Sequence, residues 1–104
     1  MKQYTTSEQT AKLIELGFEK PKGLAEADPS SGKWVRPAYS IGELIEMLEE
    51  VASVVISYSY QKRGYYVRVI IPKRIGGGMY RISQTELVDA LYDMVVKLKE
   101  EGVI

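Results

Sequence analysis

The strongest periodicities along the chain are helical. From Ser40 onward the apolar positions Ile41, Leu44, Ile45 and Leu48 follow the spacing of one helix face, with Glu43, Glu46, Glu49 and Glu50 largely on the other sides. Ser40 is placed to cap this helix, Glu43 to close a capping box, and Tyr39 and Leu44 to form a hydrophobic staple. The same device recurs at Ser83 and Glu86, with Ile82 and Leu87 as the staple, ahead of an apolar stripe of Leu87, Leu91, Met94, Val95 and Leu98 joined by Val88. Lys97 and Lys99 suit the negative end of this last helix, Gly102 ends it, and Asp89 and Asp93 belong to its exposed face. A shorter helix is expected from about Ser7 to Leu16, capped by Thr6 with Gln9 and stopped by Gly17. Leu13, Ile14, Leu16 and Phe18 give it a brief apolar side that needs tertiary packing to hold.

After Val51 the period shortens to two. Ala52 to Tyr60 sets Val54, Ile56, Tyr58 and Tyr60 against Val55, Ser57 and Ser59, and Tyr65 to Ile71 sets Tyr65, Val67, Val69 and Ile71 against Tyr66, Arg68 and Ile70. Lys62-Arg63-Gly64 supplies the turn between them, and Pro72 ends the second strand. Gly76-Gly77-Gly78 then leads into a third strand, Met79 to Ile82. A phosphate cradle would lead into a helix, so the glycines are read as a hairpin turn.

Glu19 to Ala38, by contrast, is broken by Pro21, Gly23, Pro29, Gly32 and Pro37 and is expected to be a long loop at about 19–38. Trp34 near its end either pins the loop to the core, the preferred assignment, or stands out as a binding anchor. The expected fold is α+β: a three-stranded antiparallel meander covered on one face by helices, in the order α-α-β-β-β-α. The face carrying Val54, Ile56, Tyr58, Val67, Val69, Ile71, Tyr80 and Ile82 should meet the helices, leaving the other face open.

Composition narrows the chemistry. A chain of 104 residues with 45% apolar and 27% charged positions has room for one core, so residues 1–104 are expected to form a single domain. It contains neither cysteine nor histidine. Thiolate metal sites, cysteine nucleophiles and the commonest general base are therefore unavailable, and no cofactor motif appears. The four glutamates near Glu43 read as a solvated helix face rather than a metal or acid-base cluster. With no apolar run of signal-peptide or membrane-spanning length, a cytoplasmic location and no membrane partner are expected.

Charge is unevenly divided although its total is zero. Val51 to Thr85 holds no acidic residue and six basic ones, Lys62, Arg63, Arg68, Lys73, Arg74 and Arg81, leaving the rest of the chain at minus six. Alternation places Tyr66, Arg68 and Arg81 on the open sheet face, with Lys62 and Arg63 at the adjoining turn. This candidate surface, together with Trp34, suits a protein partner or a second copy of the chain. The alternative is single-stranded nucleic acid, bound by phosphate pairing and stacking on the tyrosine-bearing hairpin. Protein interaction ranks above nucleic acid, and catalysis ranks third because no converging cluster is visible.

The segments Thr6 to Gly17, Pro37-Ala38-Tyr39-Ser40-Ile41 with Leu44 and Leu48, and Leu87 to Leu98 together resemble a group of small proteins encoded by phages and mobile elements of gut bacteria. Members share an early helix, a Pro-Ala-aromatic-Ser-hydrophobic helix opening and a terminal helix with an Asp-Ala, Met, Lys-Leu pattern, commonly with Trp where Tyr39 stands. That group has no assigned activity. The resemblance implies a mobile-element context and an accessory role through binding, and it transfers no functional residue.

Overall fold

The computed structural model describes residues 2–26 and 35–104. Helix α1 spans Ser7–Glu15, strands β1 and β2 span Gly23–Glu26 and Val35–Ala38, and helix α2 spans Ile41–Glu49. Strands β3, Ser53–Ser59, β4, Gly64–Ile71, and β5, Gly78–Gln84, precede the long helix α3, Leu87–Glu100. The protein is thus mixed α and β, with three helices and two antiparallel sheets among the described residues.

Two helix starts form as their sequences require. The Thr6 hydroxyl accepts the Gln9 amide N–H at 3.1 Å while the Gln9 side chain accepts the Thr6 N–H at 2.9 Å. Ser40 and Glu43 repeat this reciprocal capping at the start of α2. A buried threonine pair then ties the two helix entrances together. Thr10 donates its hydroxyl proton to the Thr6 carbonyl at 2.8 Å, so in the 2.7 Å contact between the hydroxyls Thr5 is the donor. The Thr5 oxygen meanwhile accepts the Tyr39 N–H at 3.0 Å, and the Thr5 N–H returns to the Tyr39 carbonyl.

The stretch expected to be a loop contains a second sheet. β1 and β2 pair antiparallel from Gly23 opposite Ala38 to Glu26 opposite Val35, so the element order is α-β-β-α-β-β-β-α and not α-α-β-β-β-α. These strands are too short to show alternation, and Pro37 obscures one of them; distant contacts hold them instead. Glu43 accepts the backbone N–H groups of Lys22 and Gly23, each at 3.0 Å, and the Tyr39 hydroxyl donates to the Glu19 carbonyl. A β-carbon on Gly23 would sit 2.6 Å from the Ala38 carbonyl oxygen, so only glycine permits this approach. Trp34 lies outside the described residues, as does the middle of the expected loop.

The larger sheet runs β3-β4-β5, all antiparallel. Gly76, Gly77 and Gly78 all have positive φ at the bend into β5, where residues with a β-carbon would be strained. Val67, Val69 and Ile71 on β4 lie buried beneath Leu87, Val88, Leu91, Met94, Val95 and Leu98 of α3, in one core with Leu13, Tyr39, Leu44 and Leu48. Two expectations need correction here. Ile56 and Tyr58 share the inner face as predicted, yet remain 38% and 43% exposed, because α3 covers β4 and β5 while α2 reaches β3 only weakly. Ser83 does not cap α3: β5 continues to Gln84, with Ser83 opposite Tyr66, and the helix starts after Glu86 with no side-chain cap. The sheet ladder claims Ser83 before the helix can.

The same end of α3 is tied down by the segment that precedes α1 instead. Glu86 accepts the Lys2 backbone N–H at 3.1 Å. Asp89, expected on the exposed face, is half-buried and accepts both the Lys2 ammonium at 2.7 Å and the Gln9 amide at 2.9 Å. Burial pushes the Asp89 carboxyl up, but hydrogen bonds from Lys2 and Gln9, aided by the Lys2 charge, outweigh it and hold the group below the usual carboxylate value.

Candidate binding surface

The outer face of the β3-β4-β5 sheet carries the alternate residues of each strand, and the register arranges them in rows. Ser57, Tyr66 and Ser83 form one row, Val55, Arg68 and Arg81 the next, and Ser53, Ile70 and Met79 the third. No helix of the described residues covers this side: Arg68 and Arg81 are exposed, as are Ile70 at 44% and Met79 at 60%. Alternation from the inward-facing Val67, Val69 and Ile71 is what aims Arg68 and Ile70 outward.

Arg68 and Arg81 stand directly opposite each other on neighbouring strands. Like charges in that relation are destabilising, and no ion pair among the described residues neutralises them. The ion pairs among the described residues are Lys2 with Asp89 and Lys97 with Glu101, neither on this face. Beside the arginines, Tyr66 has the Arg81 guanidinium 5.7 Å and the Lys62 ammonium 6.0 Å from its ring centre. A shallow hollow of about 300 Å³ is lined by Val55, Ser57, Tyr66, Arg68 and Arg81. A second, of about 240 Å³, adjoins it on the other side of Tyr66 and includes Lys62.

The structure therefore brings together Lys62, Tyr66, Arg68 and Arg81. Arg63 departs from this group. It adopts a left-handed backbone conformation in the turn, φ 49°, and lines a separate hollow with Tyr58, Tyr60, Tyr65, Thr85 and Glu86. Tyr58 packs edge-on against both Tyr60 and Tyr65 there, with ring centres 5.1 and 4.9 Å apart. Lys73 and Arg74 belong to the helical turn between β4 and β5, remote in register from Lys62.

Sequence reasoning passed over the apolar flank formed by Val55, Ile70 and Met79. The signal was present, since Ile70 and Met79 each lie two residues from an outward arginine and so share its face. Among the described residues, no three acidic side chains converge as a metal site would require, and no helix is long and apolar enough to cross a membrane. No family model, curated protein or solved structure matches the chain.

Proposed function

We propose that this protein is a non-catalytic binding module whose outer sheet face docks an acidic, partly apolar segment of a partner protein. The observation that carries this is the Arg68–Arg81 pair, two exposed like charges set opposite each other with no carboxylate paired to them among the described residues. A carboxylate bridging both guanidiniums would relieve their repulsion and gain charge-assisted hydrogen bonds. The flanking Val55, Ile70 and Met79 favour a protein over a polyanion, because arginine, methionine and aromatic side chains mark the centres of protein interfaces. An accessory binding role is also what the resemblance to mobile-element proteins implies.

Tyr66, held between Lys62 and Arg81, favours single-stranded nucleic acid as a second reading, since a base could stack where two cations already meet a ring. One titration separates them. An amphipathic peptide alternating Glu with Leu and Phe, and a thymidine oligonucleotide, are each titrated at low salt against the wild type and the Arg68→Ala, Arg81→Ala protein. The proposal expects the peptide to bind more tightly, with a loss of roughly tenfold or more in the double variant. Tighter oligonucleotide binding with a steep salt dependence establishes the second reading instead. Binding of neither overturns both.

A further inference from the structure

We propose that β3 is a dimerisation edge: two copies pair their β3 strands antiparallel about a two-fold axis at Ile56, fusing two three-stranded sheets into one of six strands. Among the described residues β3 has a strand neighbour on one side only. Every second residue of such an edge turns its N–H and C=O away from the sheet, and within Ser53 to Ser59 none of these bonds to other backbone of the described residues outside the ladder. Among the described residues the edge is open to extension.

Natural edge strands are usually blunted by charge, proline or a bulge. Ser53-Val54-Val55-Ile56-Ser57-Tyr58-Ser59 has no charge and no proline, and its register with β4 is continuous. The opposite edge is protected, because β5 carries Arg81 at its centre. A two-fold axis at Arg81 would set two arginines against each other, whereas one at Ile56 sets Ile56 on Ile56 and Val54 on Tyr58. Ile56 and Tyr58 are the inner-face side chains that the helices leave exposed.

Charge selects the same partner. The acidic end of α2, Glu49 and Glu50, comes just before β3, and the basic turn with Lys62 and Arg63 comes just after it. Antiparallel pairing lays each acidic end alongside the basic turn of the other copy. A second copy of this chain therefore matches the edge in hydrogen bonding, in apolar side chains and in charge. This inference uses the strand edge and its flanks, shares one basic residue, Lys62, with the arginine face, and would set the rows of that face side by side.

The chain has no cysteine, so Ile56→Cys is a probe without background. Opposed residues on antiparallel strands have α-carbons about 4.5 or about 5.5 Å apart, and both distances suit a disulfide. Sedimentation equilibrium of the wild type should give twice the chain mass at micromolar concentration. Under mild oxidation Ile56→Cys should become a covalent dimer, whereas Arg81→Cys should form the same dimer without a covalent link. Glu49→Lys with Glu50→Lys should raise the dimer dissociation constant roughly tenfold at low salt, and adding Lys62→Glu with Arg63→Glu should restore it. A single-chain mass up to about 1 mM, where even millimolar affinity would show, overturns the proposal. So does cross-linking through Arg81→Cys in preference to Ile56→Cys.

Discussion

Under the proposed function, Arg68 and Arg81 are the residues at which folding and binding ask for different things. Directly opposed like charges cost the sheet roughly 0.2–1 kcal/mol, so Arg81→Thr should raise the urea midpoint slightly while weakening the acidic peptide. A variant less stable than the wild type would show that the pair is compensated in a way the register does not reveal. Asp89 works in the opposite sense. Its carboxyl is held below its usual value, so the unfolded chain takes up the proton first as the pH falls. Its contribution is complete above the unfolded carboxylate pKa of about 4 and disappears as the pH drops through the lower folded value. Asp89→Asn should therefore cost about 0.2–1 kcal/mol at neutral pH, as partly exposed ion pairs do, and should lose little further stability on acidification. Urea unfolding of both proteins at neutral and strongly acid pH measures this.

At the scale of elements, the helix starts give a paired test. Ser40 accepts the Glu43 N–H at 3.1 Å, whereas Ser83, with the same sequence context, is committed to β5. Ser40→Ala should cost about 1 kcal/mol and Ser83→Ala less than about 0.5 kcal/mol, as judged by denaturant midpoints. Equal losses would mean that Ser83 caps after all. The small β1-β2 sheet depends on Gly23, where a β-carbon would lie 2.6 Å from the Ala38 carbonyl oxygen and 2.9 Å from the Glu43 carboxylate. Gly23→Ala should destabilise by about 1–3 kcal/mol and should speed hydrogen exchange at the Lys22 and Gly23 amides, which Glu43 now holds.

Across the whole molecule, the helical layer and the sheet divide the charge, with every carboxylate outside Val51 to Thr85 and an uncovered sheet face opposite α3. The core under α3 carries the stability. Leu91 is fully buried, and Leu91→Ala should cost about 2–5 kcal/mol by urea denaturation. The two proposed interaction surfaces can be separated at this scale. Arg68→Ala with Arg81→Ala should keep the dimer mass and lose the acidic peptide, whereas Ile56→Lys should lose the dimer and retain peptide binding to the monomer. Loss of both functions in either protein would mean that the face and the edge act as one site.

Elements whose signals lie within a few neighbouring residues could be read directly. Capping at Thr6 and Ser40, the stripe from Leu87 to Leu98, and the alternation that turns Arg68 and Arg81 outward are local, because caps span three residues and a strand side chain changes face at every step. The failures have the converse cause. Ser83 offers the same local motif as Ser40, but pairing with Tyr66 on another strand outcompetes it, and the small sheet is held by Glu43 on Gly23 and Tyr39 on Glu19, each bond spanning 20 residues. The exposure of Ile56 and Tyr58 likewise depends on where α3 crosses the sheet. By itself, then, the sequence determined the three helices, the strands of the larger sheet and the outward aim of its arginines. Only the tertiary structure decided the second sheet, the start of α3, the apolar flank of the basic face and the open β3 edge, because each depends on contacts between segments that no local pattern couples.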